Sequence, residues 1–527
     1  MMRNKTLIAV FAVLMLSISA CDNDALLDLN VNPNASNDID LSFVLAEGQL
    51  RMSGTRYEMW RLNLIYSSTM IQHNASLAGY WSGDKYLYNA GYSASLWDRY
   101  YPDVLKSLTH VVDRSAGVAG SENLHAVASI SRSFTLQRLT DVYGDIPYLQ
   151  AGRGLDGQEN WFPAYESQSE VFELLVTDLR AARDELDATG DALGAQDVIY
   201  GGDVASWQRW ANSLLVRIGM RMSNVDEARA RSVVEEAANH SAGVFTSNAD
   251  NAYVQHLDGG GINRNGNSEV FRPGNGGELA NARPSETFIN WMRDGGDPRL
   301  MIISGGVGDP SDPGSWDTDP ANQIGLPNGF DSETIIARAQ ADGVITDPSE
   351  FTNNLYSFLN PLLYDYDEPM MLQSFAEVNL LLAEATLMGW NVGTASADDL
   401  FNDAVRAAIG SWTVYDASLV ADAAATDAYI ASLDFSSASD ADKMRLIGEQ
   451  YWAATYFNHM ESWSNWRRTG FPALTPVNYS GNVTGGVIPR RMRYPEGEIG
   501  GNPDNYSAAI ANQGPDDFLT RIWWDVN

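Results

Sequence analysis

Apolar residues recur along this chain at helical spacing. Val171, Leu175, Leu179, Ala182 and Leu186 share one face of a 3.6-residue period. So do Trp207, Trp210, Leu214 and Ile218, and again Met371, Phe375, Val378, Leu382 and Ala385, with Gly389 placed to end that helix. From residue 41 onward most regular structure reads as helix. Long irregular stretches interrupt it at 72–97, 250–283, 302–332 and 475–510, dense in Gly, Asn, Asp and aromatics. Loops of that length in a compact domain are functional or disordered, and these hold too many Trp and Tyr to be purely disordered. The expected architecture is mainly α: stacked helix pairs with loops inserted to build a surface.

The first residues read differently. Arg3 and Lys5 precede an apolar run, Leu7 to Leu16, followed by the small residues of Ile18-Ser19-Ala20 and the chain's single cysteine, Cys21. One thiol cannot bridge within its own chain. The apolar run is about half the ~20 residues needed to span a bilayer, so it reads as a signal sequence. Ile18-Ser19-Ala20-Cys21 fits a bacterial lipobox, which makes Cys21 the lipidated first residue of the mature chain. The expected organisation is a signal peptide at 1–20, a tether at 21–40 rich in Asn and Asp, and one helical domain at 41–527. The 19 residues from 22 to 40 reach at most ~65 Å.

Composition changes the picture by exclusion. The formal net charge is −34, from 68 acidic residues against 34 Lys and Arg, and only four of those are Lys. Such a surface repels nucleic acid and anionic headgroups. The excess of Asp with so little Lys is also what adaptation to high salt looks like, although compositional drift in a Lys-poor genome reads the same.

No catalytic constellation emerges. The six histidines are scattered, and there is no His-Glu-x-x-His run, Gly-x-Ser-x-Gly elbow, Walker loop or dinucleotide fingerprint. Glu377 and Glu384, seven apart on one helix, are the carboxylate pair a glycosidase could use. The loop holding Asp309, Asp312, Asp317 and Asp319 offers oxygens of the kind calcium takes, without an EF-hand pattern. No cofactor is expected, with calcium the one structural metal such a loop suggests.

The aromatics are more informative. Tyr80, Trp81, Tyr86, Tyr88, Tyr92 and Trp97 fall within one Gly- and Ser-rich stretch. Their faces suit sugar rings or apolar peptide side chains, with neighbouring Asn, Asp and Lys to bind hydroxyls or amides. Asn263, Asn265, Asn267 and Trp316 are candidates from other loops. Rings that merely pin the loop to the scaffold would read the same way.

Several stretches resemble the SusD/RagB family of outer-membrane lipoproteins. After the lipobox comes LDLNVNPNAS, then LTDVYGDIPYLQA (139–151), DVIYGGDVASWQRWANSLLVRIGMRMS (197–223), RPSETFINWMRDGGDPRL (283–300), EVNLLLAEATLMGW (377–390), ESWSNWRRTGFPAL (461–474) and IPRRMRYPEGE (488–498). The blocks are collinear over the mature chain. The resemblance implies a scaffold of tetratricopeptide-like helix pairs, anchored by lipid in the outer membrane and facing outward. It also implies a SusC-like TonB-dependent transporter as partner, and capture of oligosaccharides or peptides without chemical change. It carries no catalytic residue. Asn212, Arg217, Arg221, Trp466, Arg467 and Arg468 lie in these blocks, on or beside amphipathic helices where they can tie loops and helix ends to the scaffold. Two other readings stay open: a secreted glycoside hydrolase using paired carboxylates, and a scaffold of the transporter complex that binds no ligand.

Overall fold

A computed structural model describes residues 39–272 and 277–527. The signal peptide, Cys21 and nearly all of the tether lie outside the described residues. The scaffold helices are α1 (Leu41–Ser53), α2 (Lys106–Ser115), α3 (Glu122–Tyr143), α4 (Gln168–Glu185), α5 (Val204–Arg221), α6 (Glu227–Asn239), α7 (Phe375–Leu387), α8 (Ala397–Gly410), α9 (Asp440–Ala454) and α10 (His459–Thr469). From α2 to α6 each helix packs on the next, and α7 packs on α8 and α9, so the expected helix pairs are present. Side chains cap their starts. Ser167 accepts from the Glu170 N–H in a capping box, and Asp203, Ser374 and Ser439 each accept from a backbone N–H three residues on.

The apolar periodicities coincide with helices except at two ends: Leu186 is already extended just beyond α4, and Met371 precedes α7. Met371 belongs to a strand, Pro369–Gln373, and α7 starts four residues later because Ser374 caps it. Short runs of apolar residues do not distinguish a strand from a buried helical turn.

The strands are few: β1 (Asn74–Ala75), β2 (Ala252–Gln255), β3 (Arg283–Pro284), β4 (Ser304–Gly306), β5 (Phe358–Leu359) and β6 (Pro369–Gln373), paired antiparallel as β1 with β3, β2 with β6 and β4 with β5. The first pair matters most. Ala75 faces Arg283 across it, the Ser285 N–H donates to the His73 carbonyl, and the Leu326 N–H donates to the Pro284 carbonyl at 3.0 Å. Three long loops are thereby knotted together. Gly325 has to be glycine there, because a Cβ would sit 2.3 Å from the Ser285 carbonyl oxygen.

At the centre of the scaffold lies a layer of buried ion pairs. Glu377 takes two hydrogen bonds from Arg217, at 2.6 and 2.8 Å, and Glu384 takes two from Arg468, at 2.5 and 2.6 Å. Arg221 bridges Glu461 and Asp141. Arg467 donates to the carbonyls of Asp141 and Arg490 and stacks 3.8 Å over Trp463. These arginines fasten α3, α5, α7 and α10 to one another. The pairing also corrects the reading of Glu377 and Glu384 as a hydrolytic pair. Both are buried and each is neutralised by its own guanidinium, with no face open to a substrate.

Candidate functional site

The aromatic stretch 80–97 divides into rings that hold the loop and rings that face outward. Trp81 is fully buried, its indole donating to Glu278 Oε2 at 3.4 Å. Tyr86 is buried, and its hydroxyl accepts from the Val477 N–H. Trp97 is buried among Tyr101, Tyr143, Tyr165 and Tyr494. Tyr88 is half-buried under Arg493, donating to Glu496. Of the six candidate rings, Trp81 and Tyr86 are buried and anchor the loop, while Trp97, 7% exposed, packs among tyrosines at the wall of a separate cleft with Tyr101, Leu155 and Trp161. Gly83 explains how the loop sits so low, since a Cβ there would lie 2.2 Å from the Ile65 carbonyl oxygen.

The other loop candidates show the same division. Trp316 stacks on Phe358 at 4.9 Å and donates to the Asp309 carbonyl, in a buried position. Asn265 is buried, caps the helix Gly266–Phe271 and donates to the carbonyls of Glu368 and Pro369. Asn267 is buried too, donating to the Phe457 carbonyl. Asn263 is half-buried and closes its own turn onto the Gly260 carbonyl. Asp309, Asp317 and Asp319 commit carboxylate oxygens to backbone N–H groups two residues ahead. Among the described residues no group of three or more acidic, His or Cys side chains is placed to hold a metal ion.

What faces outward is Tyr80, 41% exposed, together with half-buried Tyr92. Between them stands Trp60, which the sequence pattern did not single out: its ring lies 6.3 Å from Tyr80, edge-on, and 6.5 Å from Tyr92. Trp60 belongs to a π-helical segment, Met59–Ser68, a wider turn that often marks functional sites. Arg61 lies over Tyr57 at 3.9 Å and over Trp60 at 5.0 Å, so cation–π contacts hold the rings upright. The available signal was the Tyr57, Trp60, Arg61 spacing of i, i+3 and i+4, which puts all three on one helix face.

Polar groups complete this face. The Tyr80 hydroxyl donates to Glu278 Oε2 at 2.5 Å, and the Asn281 amide donates to both at 2.8 Å. Burial and then the Glu278 carboxylate push the Tyr80 hydroxyl's pKa up, so it stays a donor. The Trp60 indole N–H has no partner among the described residues. Three aromatic rings beside the Tyr80 hydroxyl and the Asn281 amide can stack on a sugar ring and hydrogen-bond its edge, while the Trp60 N–H and the Glu278 carboxylate lie buried beneath them.

The same loop supports a second feature. A cleft of about 500 Å³ opens where residues 327–338 meet 475–480, walled by Phe330, Asp331, Arg338, Asn478 and Tyr479. Asp84, buried under it, accepts from the Asn328 amide at 2.6 Å and from the Gly329 N–H at 3.1 Å. On the wall the Tyr479 hydroxyl donates to Asp331, and Arg338 forms a two-bond pair with Glu286. Hydrogen bonds from the Thr334 N–H and from Tyr479 hold the Asp331 carboxyl well below its usual range. No sequence pattern announces this cleft, because its walls come from segments far apart in the chain.

The family model described as SusD-like, starch-binding associating with outer membrane, matches residues 33–495. A search of curated proteins gives no match. Among solved structures, a chitin-binding protein aligns at 33% identity, covering 93% of this chain and 100% of its own with a TM-score of 0.79. A chitin-binding SusD homologue from Flavobacterium johnsoniae aligns at 24% identity over 92% and 98% of the two chains, TM-score 0.75. A SusD homologue from Bacteroides uniformis aligns at 24% identity over 93% and 100%, TM-score 0.76. The last two establish likeness of fold.

Proposed function

The chain belongs to the SusD-like family of starch-binding proteins associated with the outer membrane, and from that premise we propose that it captures neutral oligosaccharides of the chitin type on the Tyr80 face. It then hands them, chemically unchanged, to a SusC-like TonB-dependent transporter. The observation that carries this reading is the juxtaposition of Trp60, Tyr80 and Tyr92 with Glu278 and Asn281. N-acetylated sugars suit it: the acetyl methyl packs on an aromatic ring, while the amide meets carboxylate and amide partners. The net charge of −34 weighs against acidic glycans. The chitin-binding relative at 33% identity supports the choice of sugar.

The lipobox cysteine, Cys21, is the proposed anchor, with the domain facing the cell exterior. Among the described residues no helix is long and apolar enough to cross a membrane. Exposed Leu155 and Trp161 line one cleft of about 500 Å³, an apolar surface suited to a transporter contact. The neutralised Glu377 and Glu384 weigh against the hydrolase reading.

A panel of chitin, starch and acidic oligosaccharides with peptide mixtures, titrated into protein lacking residues 1–21, tests the ligand class. Binding of chitin oligosaccharides, recovered intact afterwards, is the expected outcome. Preference for peptides, or cleavage of the sugar, would overturn it.

A further inference from the structure

Six Lys and Arg side chains among the described residues are exposed: Arg99, Lys106, Arg114, Arg231, Arg406 and Arg521. Four of them pair with a carboxylate within 3.5 Å. Lys106 and Arg114 have neither an ion pair nor a hydrogen bond from the charged end among the described residues, although acidic residues outnumber Lys and Arg two to one in this chain. Both lie on α2 with exposed His110 midway, and the spacing of four puts all three along one helix face. One solvated cation needs no partner. Two on the same face of so acidic a chain make a local positive surface.

That face lines a cleft of about 630 Å³ together with Ile39, Leu41, Val44 and Leu155. Leu155 is 88% exposed, and Ile39 is exposed too. Of the two carboxylates in the lining, Asp113 is neutralised by hydrogen bonds from Arg153 at 2.6 and 2.9 Å, which leaves Asp156 as the one uncompensated acid against two cations. Exposed apolar side chains beside unpaired cations suit an amphiphilic anion, a phosphate that carries acyl chains. Position supplies its source. Ile39 is where the described chain begins, 18 residues after Cys21, so the cleft sits at the root of the tether. We propose that this cleft docks on the phosphate headgroup of a lipid in the membrane that holds the chain, with Lys106 and Arg114 on the phosphate and Ile39 and Leu155 in the interfacial layer.

The proposal rests on the lipidation of Cys21 and does not depend on which sugar binds. The net charge of −34 repels such headgroups at long range, yet at physiological salt that field is screened beyond about 8 Å, and the local cations decide the contact. Leu155 also lines the neighbouring cleft with Trp161, so the lipid contact runs on into the surface suited to the transporter. Protein lacking residues 1–21 has no acyl anchor, and its binding to vesicles reads the cleft alone. Vesicles containing phosphatidylglycerol should retain it, and vesicles of phosphatidylcholine should not. Lys106→Gln with Arg114→Gln should weaken the retention more than about tenfold, the effect of two charges at a membrane surface, with the urea midpoint unchanged. No retention on phosphatidylglycerol, equal retention on both vesicles, or undiminished retention of the variant overturns the proposal. So does a melting temperature raised by inorganic phosphate without retention on vesicles, the mark of a free-phosphate site. Should the double variant fail to fold, Leu155→Ser decides: weaker retention is expected, and unchanged retention contradicts the docking. Mass spectrometry of the full chain reads acylation of Cys21 separately, so failure of the anchor and failure of the cleft are told apart.

Discussion

The arginine layer of the scaffold and the aromatic face of the loops use overlapping residue types to opposite ends. In the scaffold, Arg217, Arg221 and Arg468 meet Glu377, Glu461 and Glu384 in full burial, and every charge has its counter-charge. On the face, Arg61 lies over half-buried rings, and the Glu278 carboxylate gathers the Tyr80 and Asn281 donors just beneath the surface. Satisfied buried groups fix a structure, whereas partly satisfied groups at a surface can exchange their partners for a ligand's. Position and pairing, not residue type, separate the two.

Breaking the scaffold should have the largest effect. Arg217→Met leaves Glu377 buried without its counter-charge, with only the Gln373 amide donating to it, and should cost about 3–5 kcal/mol, read as a lower urea midpoint or as failure to fold. A loss below ~1 kcal/mol would mean the layer is not what ties α5 to α7. Acid comes next. Burial pushes His73 down to about 3 and His459 well below its ordinary value, the latter also through its neighbour, 2.8 Å away between Nδ1 atoms. Both are neutral when folded, and the unfolded chain takes up their protons below pH ~6.5, so stability falls as pH drops from about 6.5 toward 3. The slope should reach roughly 1.4 kcal/mol per pH unit for each histidine, and a flat urea midpoint between about pH 6.5 and 4 would contradict their buried neutrality.

On the face the effects turn from stability to binding. Tyr80→Ala should weaken oligosaccharide binding about tenfold, the ~1.4 kcal/mol of one stacking contact, and move the urea midpoint little. Smallest of all is the acidic loop: Asp317→Asn should leave stability unchanged with or without calcium, because the carboxylate serves the Asp319 N–H and the Asn322 amide of its own turn. A calcium-dependent rise in melting temperature lost in that variant would reverse this.

The helices were legible because a 3.6-residue period survives in any surrounding, and caps such as Ser167 and Asp203 are local. The site was legible in part. Tyr80 and Tyr92 stood out as aromatics in a polar loop, yet Trp81, Tyr86 and Trp97 looked the same, and only packing separates a ring that pins a loop from one that faces out. Glu278 and Asn281 reach Tyr80 across almost 200 residues through the β1 and β3 pairing, a contact no local pattern encodes. Trp60 was hidden in a helix whose inner face dominates its pattern.

The most direct test is calorimetric titration of a chitin oligosaccharide into the wild type and a Tyr80→Ala, Tyr92→Ala double variant, with melting curves of both. Binding by the wild type that disappears in a variant of unchanged stability is the predicted result. Equal binding by the two would move the ligand off this face and contradict the account.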